Sequence, residues 1–326
     1  MNSFECTVVC LTCNRPDWLA PALRSIDDQV LRPASVIISD DSQGDESERL
    51  VQSFERLPTV YRRGPRCGQS ANLRSALSLV TTELVVVLHD DDWWEPELLE
   101  RASIAFREFD LVDIFVPGLQ FVDAQGGLLP RETDALRARR ATAFSKPFTI
   151  WETSSVRAEH LLARQVVSMF QGTVVRVSAI RSWLNGPPRN DLEDLFLCAE
   201  LARPSSGPLG VYYDSRFLCN YRVHADSVAA RAASYMDHTI AAFEGFRDDS
   251  DFASIQPALE RRVRERAYQA ALQRAADGDR VAARELMRRH CGAPRSRREA
   301  ALAVALRLPI SPVLRRALAR RNPRYS

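Results

Sequence analysis

Leu84-Val85-Val86-Val87-Leu88-His89-Asp90-Asp91-Asp92-Trp93-Trp94-Glu95-Pro96 is the stretch whose reading decides the fold. Five apolar residues without polar alternation suit a strand covered on both faces, the habit of parallel sheets. The strand runs straight into three carboxylates. Held together at the end of a buried element they repel one another, so water or a cation must compensate them. Carboxylates suit hard cations such as Mg²⁺ or Mn²⁺, which complete their shells with phosphate oxygens. The competing reading is a solvated acidic cap on the helix that follows.

Working outward, apolar runs alternate with helical patterns through the first 118 residues. Residues 5–12 read as a strand, and Pro16 opens a helix carrying Leu19, Leu23, Ile26 and Val30 on one face. Residues 35–39 form a short strand ending in Asp40-Asp41-Ser42, residues 46–57 a helix, and 59–62 a strand. A helix with Leu73, Leu77 and Val80 on one face precedes the acidic strand, and residues 97–109 and 111–116 give a further helix and strand. This is an α/β pattern with a mostly parallel sheet. Ligands bind such sheets at the carboxyl ends of the strands, so both acidic turns are expected to face one crevice.

Past residue 118 the pattern loosens. Residues 121–129, with Asp123 and Gly126-Gly127, read as a hairpin, and the polar, Arg-rich residues 130–150 as a mobile loop. Residues 173–177 and 216–223 read as strands and 192–202 as a helix. From residue 229 the sequence is Ala- and Arg-rich helix, interrupted at Pro257, Gly278, Pro294, Pro309 and Pro312. The expected division is 1–118, 119–228 and 229–326.

Composition excludes several classes. With 45% hydrophobic and 26% charged residues in a chain of 326, the protein is globular, neither disordered nor collagenous. No basic flank and apolar run open the chain, no stretch approaches a membrane span, and the seven Cys are scattered. Cys10-x-x-Cys13 has no second pair to complete a zinc site. The expected compartment is cytoplasmic, with ordinary thiols. Net charge is +2, yet residues 257–326 hold 18 Arg against 6 Asp and Glu, so the remainder is acidic. The basic end, with Leu302, Val304, Leu306, Leu308 and Ile310, suits either a helical subdomain packing on the acidic body or peripheral contact with an anionic membrane face. Reader motifs for nucleic acid, P-loops and dinucleotide fingerprints are absent, so no nucleic-acid partner is expected.

Four stretches resemble family 2 glycosyltransferases over about the first 110 residues. They are Thr7-Val8-Val9-Cys10-Leu11-Thr12-Cys13-Asn14-Arg15, Val36-Ile37-Ile38-Ser39-Asp40-Asp41-Ser42, Gly68-Gln69-Ser70-Ala71-Asn72 and the acidic strand itself. The resemblance implies a Rossmann-like GT-A fold with a C-terminal helical extension, a nucleoside diphosphate sugar donor (UDP-linked by preference) and Mn²⁺ or Mg²⁺. By the same resemblance Thr12, Asn14 and Arg15 border the nucleotide. Asp41 accepts from the base with Asp40 near the ribose, and Gly68 and Asn72 close over the base. Asp91 is the principal metal ligand of a DxD-type motif, with Asp90 and Asp92 assisting it or contacting ribose and acceptor. His89 stands where the family often has a first Asp, and as a neutral imidazole it can ligate the metal or hydrogen-bond the ribose.

Asn190-Asp191-Leu192-Glu193-Asp194-Leu195, about 100 residues further on, resembles the segment that bears the catalytic base. That role goes to Asp194, with Asp191 as the substitute. The plain alternative is acidic enrichment of a helix's first turn. Tyr221-Arg222-Val223-His224 resembles a late segment in which His224 ligates the metal or, with Arg222, holds diphosphate. Trp93, Trp94, Trp151 and Trp183 offer apolar faces to a sugar. The implied reaction is inverting transfer to a hydroxyl on a glycan, glycolipid or small molecule. A nucleotide-sugar sensor without a working base is the rival. A sugar-1-phosphate nucleotidyltransferase is another, though it requires a Gly-rich loop that Thr12-Cys13-Asn14-Arg15 lacks.

Overall fold

The structure is a computed structural model describing residues 4–187, 189, 192–224 and 233–306. The chain separates into two compact units, Met1–Val223 and His224–Ser326.

The first unit is built on one nine-stranded sheet. In chain order it comprises β1 (Phe4–Thr12), α1 (Pro16–Asp27), β2 (Pro33–Asp40), α2 (Glu46–Gln52), β3 (Thr59–Arg63), α3 (Gln69–Leu77), β4 (Leu84–His89), β5 (Trp93–Trp94) and α4 (Leu98–Glu108). It continues through β6 (Ile114–Val122), α5 (Pro130–Ala141), β7 (Phe148–Trp151), α6 (Ser154–Ala158), β8 (Val174–Arg176), α7 (Val177–Leu184), α8 (Glu193–Ala202) and β9 (Leu209–Arg222). The sheet order is β3-β2-β1-β4-β8-β6-β9-β5, with β7 paired to β9. β3, β2, β1 and β4 run parallel. β8 lies antiparallel to both β4 and β6.

The apolar runs explain this arrangement. Val8 and Val9, Ile37 and Ile38, and Val86 and Val87 are all buried, so both faces of the parallel half are covered. Leu19, Leu23 and Ile26 of α1 and Leu98, Leu99, Ala102 and Ala105 of α4 supply part of that cover. Strand order reverses at β1, which lies between β2 and β4, making the carboxyl ends of these strands the switch point where ligands bind. Register carries both acidic turns to that edge: Thr12 pairs with Asp40 and Leu11 with His89. Buried Gln29 fixes the start of α4, donating to the Glu95 carbonyl at 2.8 Å and accepting from the Leu99 amide at 3.0 Å.

Two expectations are corrected. Residues 130–150 are largely ordered as α5 and β7. The inward stripe of α5 is Thr133, Leu136 and Arg140, at helical spacing but mostly polar, so no apolar period announces it. Arg140 is buried because its guanidinium donates to the carbonyls of Val166 at 2.9 Å and Pro117 at 2.7 Å. The 121–129 hairpin is present but short, one antiparallel bridge between Val122 and Leu128 flanked by the Asp123 amide on the Gly127 carbonyl and the Leu129 amide on the Phe121 carbonyl, both at 2.8 Å. Pro257 opens a helix instead of interrupting one.

The second unit is helical: α9 (Ala233–Asp248), a 3₁₀ segment (Ser250–Ile255), α10 (Gln256–Asp277), α11 (Arg280–Leu286) and α12 (Arg297–Ala305). Phe243, Phe252, Leu259, Val263 and a run of small residues (Ala267, Ala270, Ala271 and Ala275) form its buried side. Among the described residues no helix is long and apolar enough to cross a membrane. The apolar–basic stretch beyond Leu306 lies outside the described residues.

Replacing Arg140 with Met removes the donors to two buried carbonyls, each worth about 1–3 kcal/mol when left unpaired. Urea unfolding of Arg140→Met is expected to show a loss of roughly 2–6 kcal/mol on that arithmetic. A loss below about 0.5 kcal/mol would mean that water reaches those carbonyls and that α5 is held by something else.

Candidate active site at the carboxyl edge of the sheet

The turn after β4 is tight, the Asp92 amide donating to the His89 carbonyl at 3.2 Å. It concentrates three carboxylates, two of them buried. Thr12, at the end of the adjacent β1, donates its hydroxyl to Asp90 Oδ2 at 2.9 Å. Arg15 reaches both Asp90 (3.5 Å) and Asp91 (3.2 Å) from the start of α1. Burial and the neighbouring Asp91 raise the Asp90 carboxyl to about 6, with Arg15 and Thr12 opposing. Burial, then Asp91, pushes Asp92 well above the ordinary carboxylate range against the amide of Arg222. Desolvation lowers the pKa of His89, favouring the neutral imidazole that can ligate a metal.

Ligand atoms of His89, Asp91 and Asp92 all lie within 4.8 Å of one another. Asp92 Oδ1 accepts from the Arg222 amide at 2.8 Å, while Oδ2 is buried and has no hydrogen-bond partner among the described residues. A buried, unpaired carboxylate oxygen facing an imidazole and a second carboxylate fits a divalent cation. His224 begins the second unit and falls outside this group.

Arg222, at the end of β9, is fixed on all sides. It donates from Nε to the Asp91 carbonyl and from Nη1 to the Ala124 carbonyl, both at 2.9 Å. The Trp18 and Trp93 rings each lie 4.6 Å from its guanidinium carbon. The guanidinium therefore ties the acidic turn to the 123–127 loop. Of the four tryptophans that could offer a sugar an apolar face, Trp94, Trp151 and Trp183 are buried, the commoner use of the residue, and Trp93 is half-buried.

Across β1, the β2 turn is held by its own side chains. Asp40 is fully buried, accepting from the Ser42 amide through Oδ1 and from the Tyr61 hydroxyl through Oδ2, each at 2.7 Å. Its carboxylate, expected near a ribose, is engaged by these two protein groups. Asp41 is half-buried, its Oδ1 accepting from the Arg66 amide at 3.0 Å. Asn72 is also buried, exchanging hydrogen bonds with the hydroxyl and carbonyl of Ser39 at 2.6 and 3.1 Å. Asn14, at a left-handed φ of 54°, binds Ser42 through its amide and Gln43 through Oδ1, joining the two turns. Gly68 is exposed at the N-terminus of α3 with open space around it.

Gly64 was not read from the sequence. A Cβ there would lie 2.1 Å from Asp41 Oδ1 and 2.5 Å from Asn72 Oδ1, so only glycine lets both side chains close on this spot. The Gly64-Pro65 pair was its one local signal.

Asp194 stands in the first turn of α8, accepting through Oδ1 from the Met169 amide at 3.2 Å and from the Cys198 thiol at 3.8 Å. Burial raises it to about 6, and those two donors oppose the shift. The loop that supplies Met169 also contacts β4, the Gly172 amide lying 3.4 Å from the Val87 carbonyl. Gly172 takes φ 76°, and a Cβ would lie 2.2 Å from Cys219 Sγ, so this approach also needs glycine. Asp191 lies outside the described residues.

Residues 7–158 match the family model described as glycosyl transferase family 2. Over 104 residues the chain is 31% identical to the Campylobacter jejuni GalNAc(5)-diNAcBac-PP-undecaprenol beta-1,3-glucosyltransferase, which is 29% of this chain and 31% of that one. The chain thus matches less than a third of the curated relative's length. Residues 1–349 of S. aureus TarS in complex with UDP-GlcNAc align with a TM-score of 0.61 at 15% identity, over 99% of this chain and 89% of that one. The mannosyltransferase PcManGT from Pyrobaculum calidifontis, in complex with GDP-Man and Mn²⁺, aligns with a TM-score of 0.58 at 17% identity, over 98% and 84%. At such identities the two structures speak for the fold, while the family match rests on the strands and turns that build the acidic edge. Residues 7–158, under half of the chain, thus match the family 2 glycosyltransferases, and the fold as a whole is of the GT-A kind.

Proposed function

We propose that the protein transfers a sugar from a nucleoside diphosphate donor, UDP-linked in the first instance, to an acceptor hydroxyl with inversion at the anomeric carbon. The observation that carries this reading is the unpaired, buried Asp92 Oδ2 beside Asp91 and His89, at the switch point of the sheet. A divalent cation held there supplies positive charge to the diphosphate as it departs. Two carboxylates with one imidazole favour Mn²⁺ over Mg²⁺, since nitrogen ligands suit transition ions better.

The chain's own residues do the rest. Asp41 and Gly68 rim the nucleotide, with Asp40, Gly64 and Asn72 holding that rim from beneath. Thr12 and Arg15 restrain Asp90 and Asp91. Met169 and Cys198 engage Oδ1 of Asp194, and neither of these bonds uses Oδ2. Asp194 takes the proton of the acceptor hydroxyl, whose oxygen attacks the anomeric carbon from the face opposite the diphosphate. The anomeric C–O bond breaks and its electron pair leaves with the diphosphate.

A glycan on a lipid carrier is the acceptor class we favour. The Campylobacter relative's name gives such a substrate, and the basic second unit suits an anionic surface at the inner face of a membrane.

Thermal-shift titration of UDP, dTDP, GDP, ADP and CMP with Mn²⁺ is expected to give a metal-dependent response to a nucleoside diphosphate. At about 100 times the dissociation constant the stabilisation should be roughly 2.7 kcal/mol. Asp91→Ala should abolish it, and His89→Asp should let Mg²⁺ replace Mn²⁺. An equal response in EDTA would remove the metal from the reading.

For Asp194, a carboxyl raised to about 6 must be ionised to act, so kcat/KM should fall about tenfold per pH unit below that value. Asp194→Asn should lose turnover yet keep donor affinity. Unchanged turnover in that variant would leave a binding protein or a different base. Sedimentation with anionic vesicles at low salt, compared with neutral ones, tests the surface. Equal recovery from both vesicle types would sink the membrane contact.

A further inference from the structure

We infer that Arg74 is a positioning residue for the proposed base: it clamps the C-terminus of α7 to the first turn of α8 and neutralises Glu193, the residue next to Asp194. The inference rests on Asp194 being that base.

Arg74 belongs to α3, whose first turn carries Gly68 and Asn72 at the nucleotide rim. Its side chain crosses to residues more than a hundred positions away. Nε donates to Glu193 Oε1 at 2.9 Å and Nη2 to Oε2 at 2.8 Å, a bidentate pair. Nη1 donates to the carbonyls of Trp183 (2.6 Å), Leu184 (3.2 Å) and Gly186 (2.8 Å). The guanidinium carbon lies 4.3 Å from the Trp183 ring centre. The side chains of Arg74 and Glu193 are only 10% and 4% exposed. Glu193 Oε1 also accepts from the Arg189 amide at 2.9 Å, which closes the segment leading into α8.

Two consequences follow. The last carbonyls of a helix have no partner within it, so α7 ends on a cation supplied by another element. All three guanidinium nitrogens are used, and a lysine ammonium could not reproduce the planar fork. The second consequence is electrostatic. Glu193 is buried one residue before Asp194 and is tolerable there because Arg74 pairs it. Without that pair an uncompensated negative charge would sit beside the base and disfavour its ionisation. Met169, from the loop before β8, and Cys198, from α8 itself, are the groups on Asp194 itself, and neither carries a charge able to offset Glu193. The same residue therefore sets the place of the base and the charge around it. Since α3 also forms the nucleotide rim, donor and base sites share a rigid connection.

The test is a set of pH profiles of kcat/KM for wild type, Arg74→Met, Arg74→Lys, the double variant Arg74→Met/Glu193→Gln, and Asp194→Asn. Affinity for UDP with Mn²⁺ is measured alongside. Arg74→Met is expected to move the acid limb up by roughly one pH unit or more. Its kcat should fall about tenfold or more at neutral pH, with UDP affinity within about threefold of wild type. The double variant removes the orphaned charge and should return the limb toward wild type while kcat stays low. Arg74→Lys keeps the charge and loses the carbonyl contacts, so its limb should stay put and its kcat fall. An unmoved limb in Arg74→Met would overturn the electrostatic half, and wild-type kcat in Arg74→Lys the geometric half. Should Arg74→Met fail to fold, the lysine and double variants still decide. If Asp194→Asn keeps its turnover, the base assignment falls independently of Arg74.

Discussion

Everything at this site depends on three carboxylates crowded at the carboxyl end of one buried strand. A parallel sheet with both faces covered keeps water from diluting their repulsion, which is why Asp90 and Asp92 are pushed upward. The chain answers from both sides of β4. On one side β1 delivers Thr12 and the start of α1 delivers Arg15. On the other side β9 delivers the amide of Arg222. The strand register that makes the fold is thus the same register that makes the charge cluster tolerable. What the protein leaves uncompensated, Asp92 Oδ2, is an opening for a cation.

Arginine does a second job through the chain, as a buried strut. Arg157 donates to the carbonyls of Trp151, Glu152, Leu201 and Arg203. Arg140 joins Pro117 to Val166, and within the second unit Arg264 joins Glu299 to the carbonyls of Cys291 and Ala293. In each case a fork of donors reaches several backbone or carboxylate oxygens at once, a task for which an ammonium has the wrong shape. Only Lys146 departs from arginine among the 44 basic residues. Genome composition accounts for such a bias on the surface, but these buried side chains use the guanidinium's geometry.

The parallel half was legible because strands covered on both faces are written as apolar runs, and because polar turns mark their carboxyl ends. That pattern alone places Thr12, Asp41 and Asp91 at one edge. The loss of legibility after residue 118 has a physical cause. α5 turns Thr133, Leu136 and Arg140 inward, and an arginine satisfied by carbonyls looks like a surface residue in the sequence. Arg74 gave no signal for the same reason. Asp40 and Asn72 were recognisable as belonging to the site, but not as lying beneath it, since burial beside a turn is a tertiary fact. Trp94, Trp151 and Trp183 are spent on packing, the commoner use of so large an apolar side chain.

Accounting for carboxylate oxygens separates the acids that hold the structure from those available to chemistry. Asp40 has both oxygens taken, by Ser42 and Tyr61, and Glu193 both by Arg74. Asp214 likewise divides its pair between Arg216 and Arg101. These acids are buried with their oxygens already paired, and a ligand could reach them only by breaking existing bonds. Asp92 and Asp194 differ. One has an orphaned oxygen, and the other takes both its donors on Oδ1. Each is raised by burial without a cation bound to it in return. Burial alone therefore does not distinguish a reactive carboxylate from a strut: the distinguishing feature is an oxygen left for something that has yet to bind.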